Sequence, residues 1–208
     1  MQKSKTILIT IEGIDCSGKT TIAKSLAKKF KYKFEHEPRF SSEEADKLNF
    51  NGIDHYQREF YFMQDRVKHQ IVLEQHNVIL DSYILRGLTY ASYFGPKALG
   101  MVRSVYKLPE FKKPNLTIVI KTDPKTALKI NKQRIGTSDY NPKLTLEVLK
   151  GLDVCMQEEI GKINTWKHYP SIIVIENKAD QLEWTKKLVE QQIIDHVPEL
   201  GGISAKKK

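Results

Sequence analysis

Short apolar runs alternate along the chain with longer stretches in which apolar residues recur every third or fourth position. The runs at 7–11, 78–80, 116–120 and 172–175 predict strands, and a weaker run at 32–37 predicts a fifth. Between them, Ile22, Leu26 and Phe30, with Ala23 and Ala27 beside them, mark one helix, and Phe60, Met63, Val67 and Ile71 mark another. A third spans 124–134 with Pro124 near its start, a long fourth covers 144–166, and Trp184, Leu188 and Ile194 mark a terminal helix. Near-continuous apolar strands separated by helices predict an α/β protein. Its parallel sheet of about five strands is covered on both faces, a three-layer architecture.

A chain of 208 residues is the size of one domain, and it shows no internal repeat, low-complexity block or clear linker. Its longest purely apolar run is four residues, far short of the ~20 a membrane span requires, and no leader-like segment opens it. The most polar stretches, 36–54 and 135–143, predict exposed loops of the kind that carry binding and catalysis. Charge adds a preference among ligands. Thirty-four basic residues against 25 acidic ones give +9, which favours anionic ligands. Lys206, Lys207 and Lys208 supply three of those charges in a basic tail at 201–208, and the pattern contains no nucleic-acid module, so no nucleic-acid partner is expected. Two cysteines, Cys16 and Cys155, make neither a disulfide framework nor a zinc site, and a reducing, cytoplasmic setting is expected. The histidines, His69 and His76 among them, have no metal-ligand spacing.

One motif dominates. Gly13-Ile14-Asp15-Cys16-Ser17-Gly18-Lys19-Thr20 matches the phosphate-binding loop at every fixed position and sits between a strand ending near Glu12 and a helix beginning near Lys19. Glycines let the backbone curl so that successive N–H groups point at phosphate oxygens, and the helix adds the positive end of its dipole. Lys19 is placed to bridge the β and γ phosphates and Thr20 to hold Mg²⁺. The loop predicts binding of a nucleoside triphosphate and leaves its acceptor open.

Other residues bear on the acceptor. A carboxylate inside the loop repels phosphate, so Asp15 either faces a sugar hydroxyl or a metal-bound water, or caps the turn. Phe62 and Arg66 are one helical turn apart; they can stack and read a base, and they equally fit a core aromatic beside a surface cation. Asp81 ends a predicted parallel strand, where ligands bind in such sheets, and can orient waters on Mg²⁺. Tyr83, Arg86 and Tyr90 follow at helical spacing, as a binding face or as an amphipathic helix with a buried aromatic edge. Lys129, Lys132 and Arg134 lead into Gly136-Thr137-Ser138-Asp139; they can close over a triphosphate, although cations also collect at helix C-termini for dipole reasons.

Together these residues resemble the thymidylate kinase family of P-loop nucleoside monophosphate kinases, over most of the chain. The resemblance rests on Glu12-Gly13-x-Asp15 through Gly18-Lys19-Thr20-Thr21, on Phe62-x-x-Asp65-Arg66, on Asp81-x-Tyr83 with Tyr90, and on Pro114-Asn115-Leu116-Thr117 followed by Asp123-Pro124. It implies transfer of a phosphoryl group from ATP to dTMP, with Mg²⁺, in the supply of dTTP. It also implies a small lid over 134–143 and a homodimer. Gly13, Cys16, Ser17, Gly18, Lys19, Thr20 and Thr21 would bind the donor phosphates, with Lys19, Arg134 and Asp15 catalytic. Asp15 would meet the sugar 3′-hydroxyl, Phe62 stack on thymine, Arg66 donate to the base edge and Tyr90 pack at C2′. Glu37 and Arg39 belong to the implied acceptor loop. Thr20, and Asp81 through water, would hold the metal.

Three positions depart from the family pattern. Ser82 stands where the family has an arginine for the acceptor phosphate, with Arg86 or Arg39 the available substitutes. Cys16 stands where some members use arginine, and His36 stands where arginine often precedes Glu37-Pro38. A deoxynucleoside kinase and a nucleotide-binding protein without turnover are the two alternative expectations.

Overall fold

The computed structural model describes residues 6–39, 54–137, 140–167, 169–178 and 181–200. The predicted tail at 201–208, residues 40–53 of the polar loop and residues 138–139 of the predicted lid lie outside them. The chain runs β1 (Leu8–Glu12), α1 (Lys19–Phe30), β2 (Lys33–His36), α2 (His55–Gln75), β3 (Val78–Asp81), α3 (Ile84–Phe94), α4 (Pro96–Lys107), β4 (Leu116–Lys121), α5 (Pro124–Gln133), α6 (Leu146–Ile163), β5 (Ile172–Glu176) and α7 (Leu182–His196).

The five strands form one parallel sheet in the order β2-β3-β1-β4-β5. β1 lies at its centre, with Ile9 level with Ile79 on one side and Leu116 on the other. Every residue of β1 and β3 is buried, as expected of strands covered on both faces. Alternation of side chains divides the core in two. Ile9 and Ile11 pack with Ile22, Leu26 and Phe30 of α1 and Val189 and Ile193 of α7. Leu8, Leu80 and Val119 face the other way, onto Leu85 and Leu88 of α3, Tyr106 of α4 and Leu149 and Leu152 of α6. Each such side chain contributes roughly 1.5–3 kcal/mol by leaving water.

Three helices differ from expectation. α2 forms, but its inward stripe is Glu59, Met63, Arg66, His69 and Leu73, whereas Phe60, Val67 and Ile71 are 47%, 52% and 63% exposed. α2 thus carries apolar residues on its outer side and polar ones within. α4 is absent from the predicted elements, although Pro96 starts it and Ala98, Val102 and Tyr106 recur at helical spacing on its buried side. α6 is shorter than the predicted 144–166: the Thr145 side chain accepts from the Val148 N–H, which fixes its start.

Candidate active site

The carboxyl ends of β1, β2 and β3 open together into a cleft of about 360 Å³. The phosphate loop forms its floor. Gly13 has φ 151°, and a Cβ there would lie 2.6 Å from Ser17 Oγ and 2.7 Å from the Ile120 carbonyl, so only glycine fits. Gly18, at φ 89°, ends the loop in a left-handed conformation, and α1 starts with no acidic residue in its first turn. The positive end of its dipole therefore faces the loop uncompensated. The carbonyl of Ser17 is held from behind by Thr122 Oγ1 at 3.3 Å and Asn177 Nδ2 at 3.0 Å, and Thr185 fixes Asn177 in turn. Lys19 is buried; its Nζ donates to the Ile14 carbonyl at 3.2 Å and stands 3.8 Å from Asp15 Oδ1.

At the mouth of β3, Thr20 donates its hydroxyl proton to Asp81 Oδ2, and Ser82 Oγ donates to Oδ1 at 3.2 Å. This hydroxyl–carboxylate pair is a hard oxygen donor set of the kind Mg²⁺ takes. No group of three or more His, Cys, Asp or Glu side chains with metal-binding geometry occurs among the described residues. Mg²⁺ there would draw its other ligands from phosphate and water.

Asp15 does not point at the phosphates. Arg86 Nη2 donates to its Oδ1 at 3.1 Å and the Tyr90 hydroxyl to its Oδ2 at 2.5 Å. Burial alone would raise this carboxyl, but Arg86, Lys19 and the Tyr90 bond hold it below its ordinary range. The Arg86 guanidinium lies 4.8 Å from the Tyr90 ring centre, and its Nη1 donates to the Glu37 carbonyl at 3.3 Å. Arg86 thus ties the phosphate loop to the Glu37–Pro38 segment, which contains a cis peptide bond.

α3, which carries Arg86 and Tyr90, is set by Glu12. The Glu12 carboxylate is fully buried and accepts from the backbone N–H groups of Leu85 at 3.3 Å and Arg86 at 3.2 Å. Burial pushes its carboxyl up to about 7, despite these bonds. The sequence singles out Glu12 only as part of the motif. The contact that gives it a role lies more than seventy positions away.

Glu37 forms the far wall. Arg66 Nε donates to its Oε2 at 3.0 Å, and His69 Nδ1 lies 2.9 Å from its Oε1. All three side chains are buried. Arg66 is therefore anchored within the protein as well as near Phe62, whose ring centre is 5.9 Å from the guanidinium. Sequence spacing gives His69 no role beyond excluding it as a metal ligand, and the structure makes it an inward member of this network.

The structure brings Asp15, Cys16, Gly18, Lys19, Thr20 and Thr21 to the cleft, together with Glu37, Asp81, Arg86 and Arg134. Phe62, Arg66 and Tyr90 stand behind this wall and do not line the 360 Å³ space. Arg39 is also not brought in: it is exposed, its N–H donates to Asp65 Oδ2 at 2.8 Å, and its Nε is 3.8 Å from Glu35. Arg134 ends α5 and overhangs the cleft with Asn131 and Asn141. The Asn131 side chain donates to the Asn141 carbonyl at 2.8 Å and accepts from the Asn141 N–H at 3.1 Å, which pins the far end of the predicted lid. A wider basic groove of about 820 Å³, with Arg103, Lys107, Lys162 and Trp166 among its lining residues, contains none of the phosphate-loop residues.

The sequence profile of the Thymidylate kinase family matches residues 11–181. The thymidylate kinase of Wolbachia pipientis wMel is 29% identical over 171 residues, spanning 74% of this chain and 87% of that protein. Among solved structures, deoxyadenosine kinase from M. mycoides with dCMP and dCDP bound superposes with a TM-score of 0.71 at 16% identity, over 91% of this chain and all of that one. Thymidylate kinase from Candida albicans gives 0.68 at 19% identity, over 92% of each chain. At such identities the two structures speak for the fold.

Proposed function

The chain belongs to the thymidylate kinase family, and on that premise we propose that it transfers the γ-phosphoryl group of ATP to the phosphate of dTMP. An oxygen of the acceptor phosphate bonds to the γ phosphorus while the bond to the β-bridging oxygen breaks, giving dTDP and ADP for dTTP synthesis. It is a nucleoside monophosphate kinase. The observation that carries the acceptor reading is the Asp15–Arg86 pair, which stands beside Lys19 in one cleft and is held from behind by Tyr90.

The geometry supports the following roles. Backbone N–H groups of the loop and the α1 dipole bind the donor phosphates, and Lys19 neutralises charge on the moving group. Thr20, with Asp81 through water, would hold Mg²⁺, which would offset phosphate charge. Arg86 is the cation for the acceptor phosphate in place of the arginine missing at Ser82, since its guanidinium already bridges the loop and the Glu37 carbonyl. Asp15 and Tyr90 take the deoxyribose, and Phe62 and Arg66 the base. Arg134 reaches the donor phosphates as the lid over 134–143 closes and excludes water. The whole chain acts as one domain with a basic tail.

The phosphate of dTMP is already anionic, so no strong general base is needed. An uncharged nucleoside would need one for its 5′-hydroxyl proton. Ser82 favours that second reading, but each carboxylate at the cleft is already engaged: Asp81 by Thr20 and Ser82, Asp15 by Arg86 and Tyr90, and Glu37 by Arg66 and His69. The exposed Phe60, Val67 and Ile71 of α2 support a homodimer through this helix. No helix among the described residues is long and apolar enough to cross a membrane, and we assign the enzyme to the cytoplasm. ADP release with ATP, Mg²⁺ and a panel of monophosphates tests the assignment: dTMP should be preferred to dCMP, dGMP and AMP. Equal use of all, or none above the background without acceptor, would overturn it.

A further inference from the structure

Behind the cleft, where α2, α3 and α4 meet, the side chains carry more hydrogen-bonding capacity than the described protein uses. Glu59 is 1% exposed, and neither carboxylate oxygen has a hydrogen-bond partner among the described residues. The Tyr106 hydroxyl is fully buried and likewise without one. Both groups adjoin Arg66. The guanidinium stands 6.0 Å from the Tyr106 ring centre, and a Cβ at Gly87 would lie 3.2 Å from Arg66 Cζ and 2.4 Å from the Tyr106 hydroxyl. Glycine at position 87 lets the Tyr106 hydroxyl and the Arg66 guanidinium pack directly against α3. Glu59, Phe62 and Arg66 are three and seven positions apart, so they share one side of α2.

A buried carboxylate with nothing to accept is costly, and native proteins keep such groups where a ligand or an ordered water completes them. Burial raises the Glu59 carboxyl, and the Arg66, Arg58 and Arg86 guanidinium groups act on it in the opposite sense. We propose that Glu59 and Tyr106 are specificity-determining residues of the acceptor site, and that with Arg66 they read the 2,4-dioxopyrimidine edge of the base. The inference deepens the dTMP reading and rests on it.

Chemistry selects this base class. The edge of a 2,4-dioxopyrimidine presents an acceptor, a donor and an acceptor: two carbonyls flanking the N3–H. Its complement is a donor, an acceptor and a donor. Arg66 can only donate, and the Tyr106 phenol, kept protonated by burial, also donates. Between them Glu59 supplies the acceptor, because a carboxyl retains an accepting oxygen whether or not it is ionised. Cytosine presents an amino group and an unprotonated N3. Against these donors it would meet N–H with N–H and leave buried groups unpaired, which is how a polar site rejects a near-isostere. The methyl at C5 plays no part, so thymine and uracil are read alike by these three groups.

The test is steady-state kinetics of the full chain with dTMP, dUMP and dCMP, for wild type, Glu59→Gln and Tyr106→Phe, with folding checked by circular dichroism. The amide introduced by Glu59→Gln can turn to suit either base. The ratio of kcat/KM for dTMP to that for dCMP should therefore fall about tenfold or more in this variant. The change should lie mainly in the acceptor KM, with the KM for ATP unmoved and dUMP following dTMP. Tyr106→Phe should shift the ratio the same way by less, and it carries the test alone if Glu59→Gln does not fold. A ratio unchanged in folded variants, whether all acceptors lose equally or none does, would overturn the proposal and leave Glu59 and Tyr106 as a water-filled structural pocket. Wild type that prefers dCMP, or uses no pyrimidine monophosphate, would instead overturn the dTMP reading beneath it.

Discussion

At the donor end of the cleft, main-chain geometry does the positioning: Gly13 and Gly18 shape a loop that Asn177 and Thr122 brace from behind. At the acceptor end, side chains do it. Asp15, Arg86, Glu37, Arg66 and His69 come from the loop, α3, the segment after β2 and α2, and they hold one another through bonds of 2.9 to 3.3 Å. The difference teaches where change is tolerated. A backbone cradle needs glycines at fixed places and varies little. A side-chain network can exchange one cation for another if the charge returns to the same space, and the role proposed for Arg86 beside Ser82 is such an exchange.

Five variants break or sharpen this comparison. Lys19→Ala strikes the donor end and should lower kcat by about 10³-fold or more with the fold retained. Near-normal turnover would remove Lys19 from the chemistry.

The next effect is on stability. Glu12 has a carboxyl raised from the ordinary 4.5 to about 7. Its contribution is therefore fully present below about 4.5 and is lost as pH rises through about 7, by roughly 3 kcal/mol at ~1.4 kcal/mol per pH unit. Asp15, held low, acts in the opposite sense and costs stability only as pH falls toward the acid range. Glu12→Gln should flatten the dependence of Tm on pH between 4.5 and 7. A slope identical to wild type would place the titration elsewhere.

Arg86→Ala should cost roughly 100-fold in kcat/KM for dTMP, the value of a charge-assisted contact to phosphate. Placing the cation back at position 82, as Ser82→Arg with Arg86→Ser, should restore part of it; no recovery would mean the two positions do not serve one phosphate. Smallest is Tyr90→Ala, which should raise the relative use of ribo- over deoxyribonucleotide by roughly tenfold. An unchanged ratio would reduce Tyr90 to a support for Asp15.

The same contrast decides how much is legible in the sequence. β1, β3 and β4 are near-continuous apolar runs because both faces are buried, and the phosphate loop is a local pattern with a local cause. Both read directly from the chain. α2 is legible as a helix but its orientation is not. Phe60, Val67 and Ile71 make the more obvious stripe, and the protein instead turns inward the side bearing Glu59, Arg66 and His69. Arg39 groups with the acceptor residues through its position beside Glu37-Pro38, yet its backbone and side chain go to Asp65 and Glu35. Glu12 and Tyr106 receive no role from spacing, since their significance comes from contacts with distant helices. Long-range pairing among polar side chains leaves no periodic trace.

The central claim is that the acceptor carries its own phosphate and that Arg86 receives it. The most direct test is ADP release by the wild-type chain with ATP and Mg²⁺, comparing dTMP with thymidine at equal concentration. Turnover with dTMP and none above background with thymidine is the predicted result. Turnover with thymidine and none with dTMP would contradict it, and would make the missing arginine at Ser82 the sign of a nucleoside site.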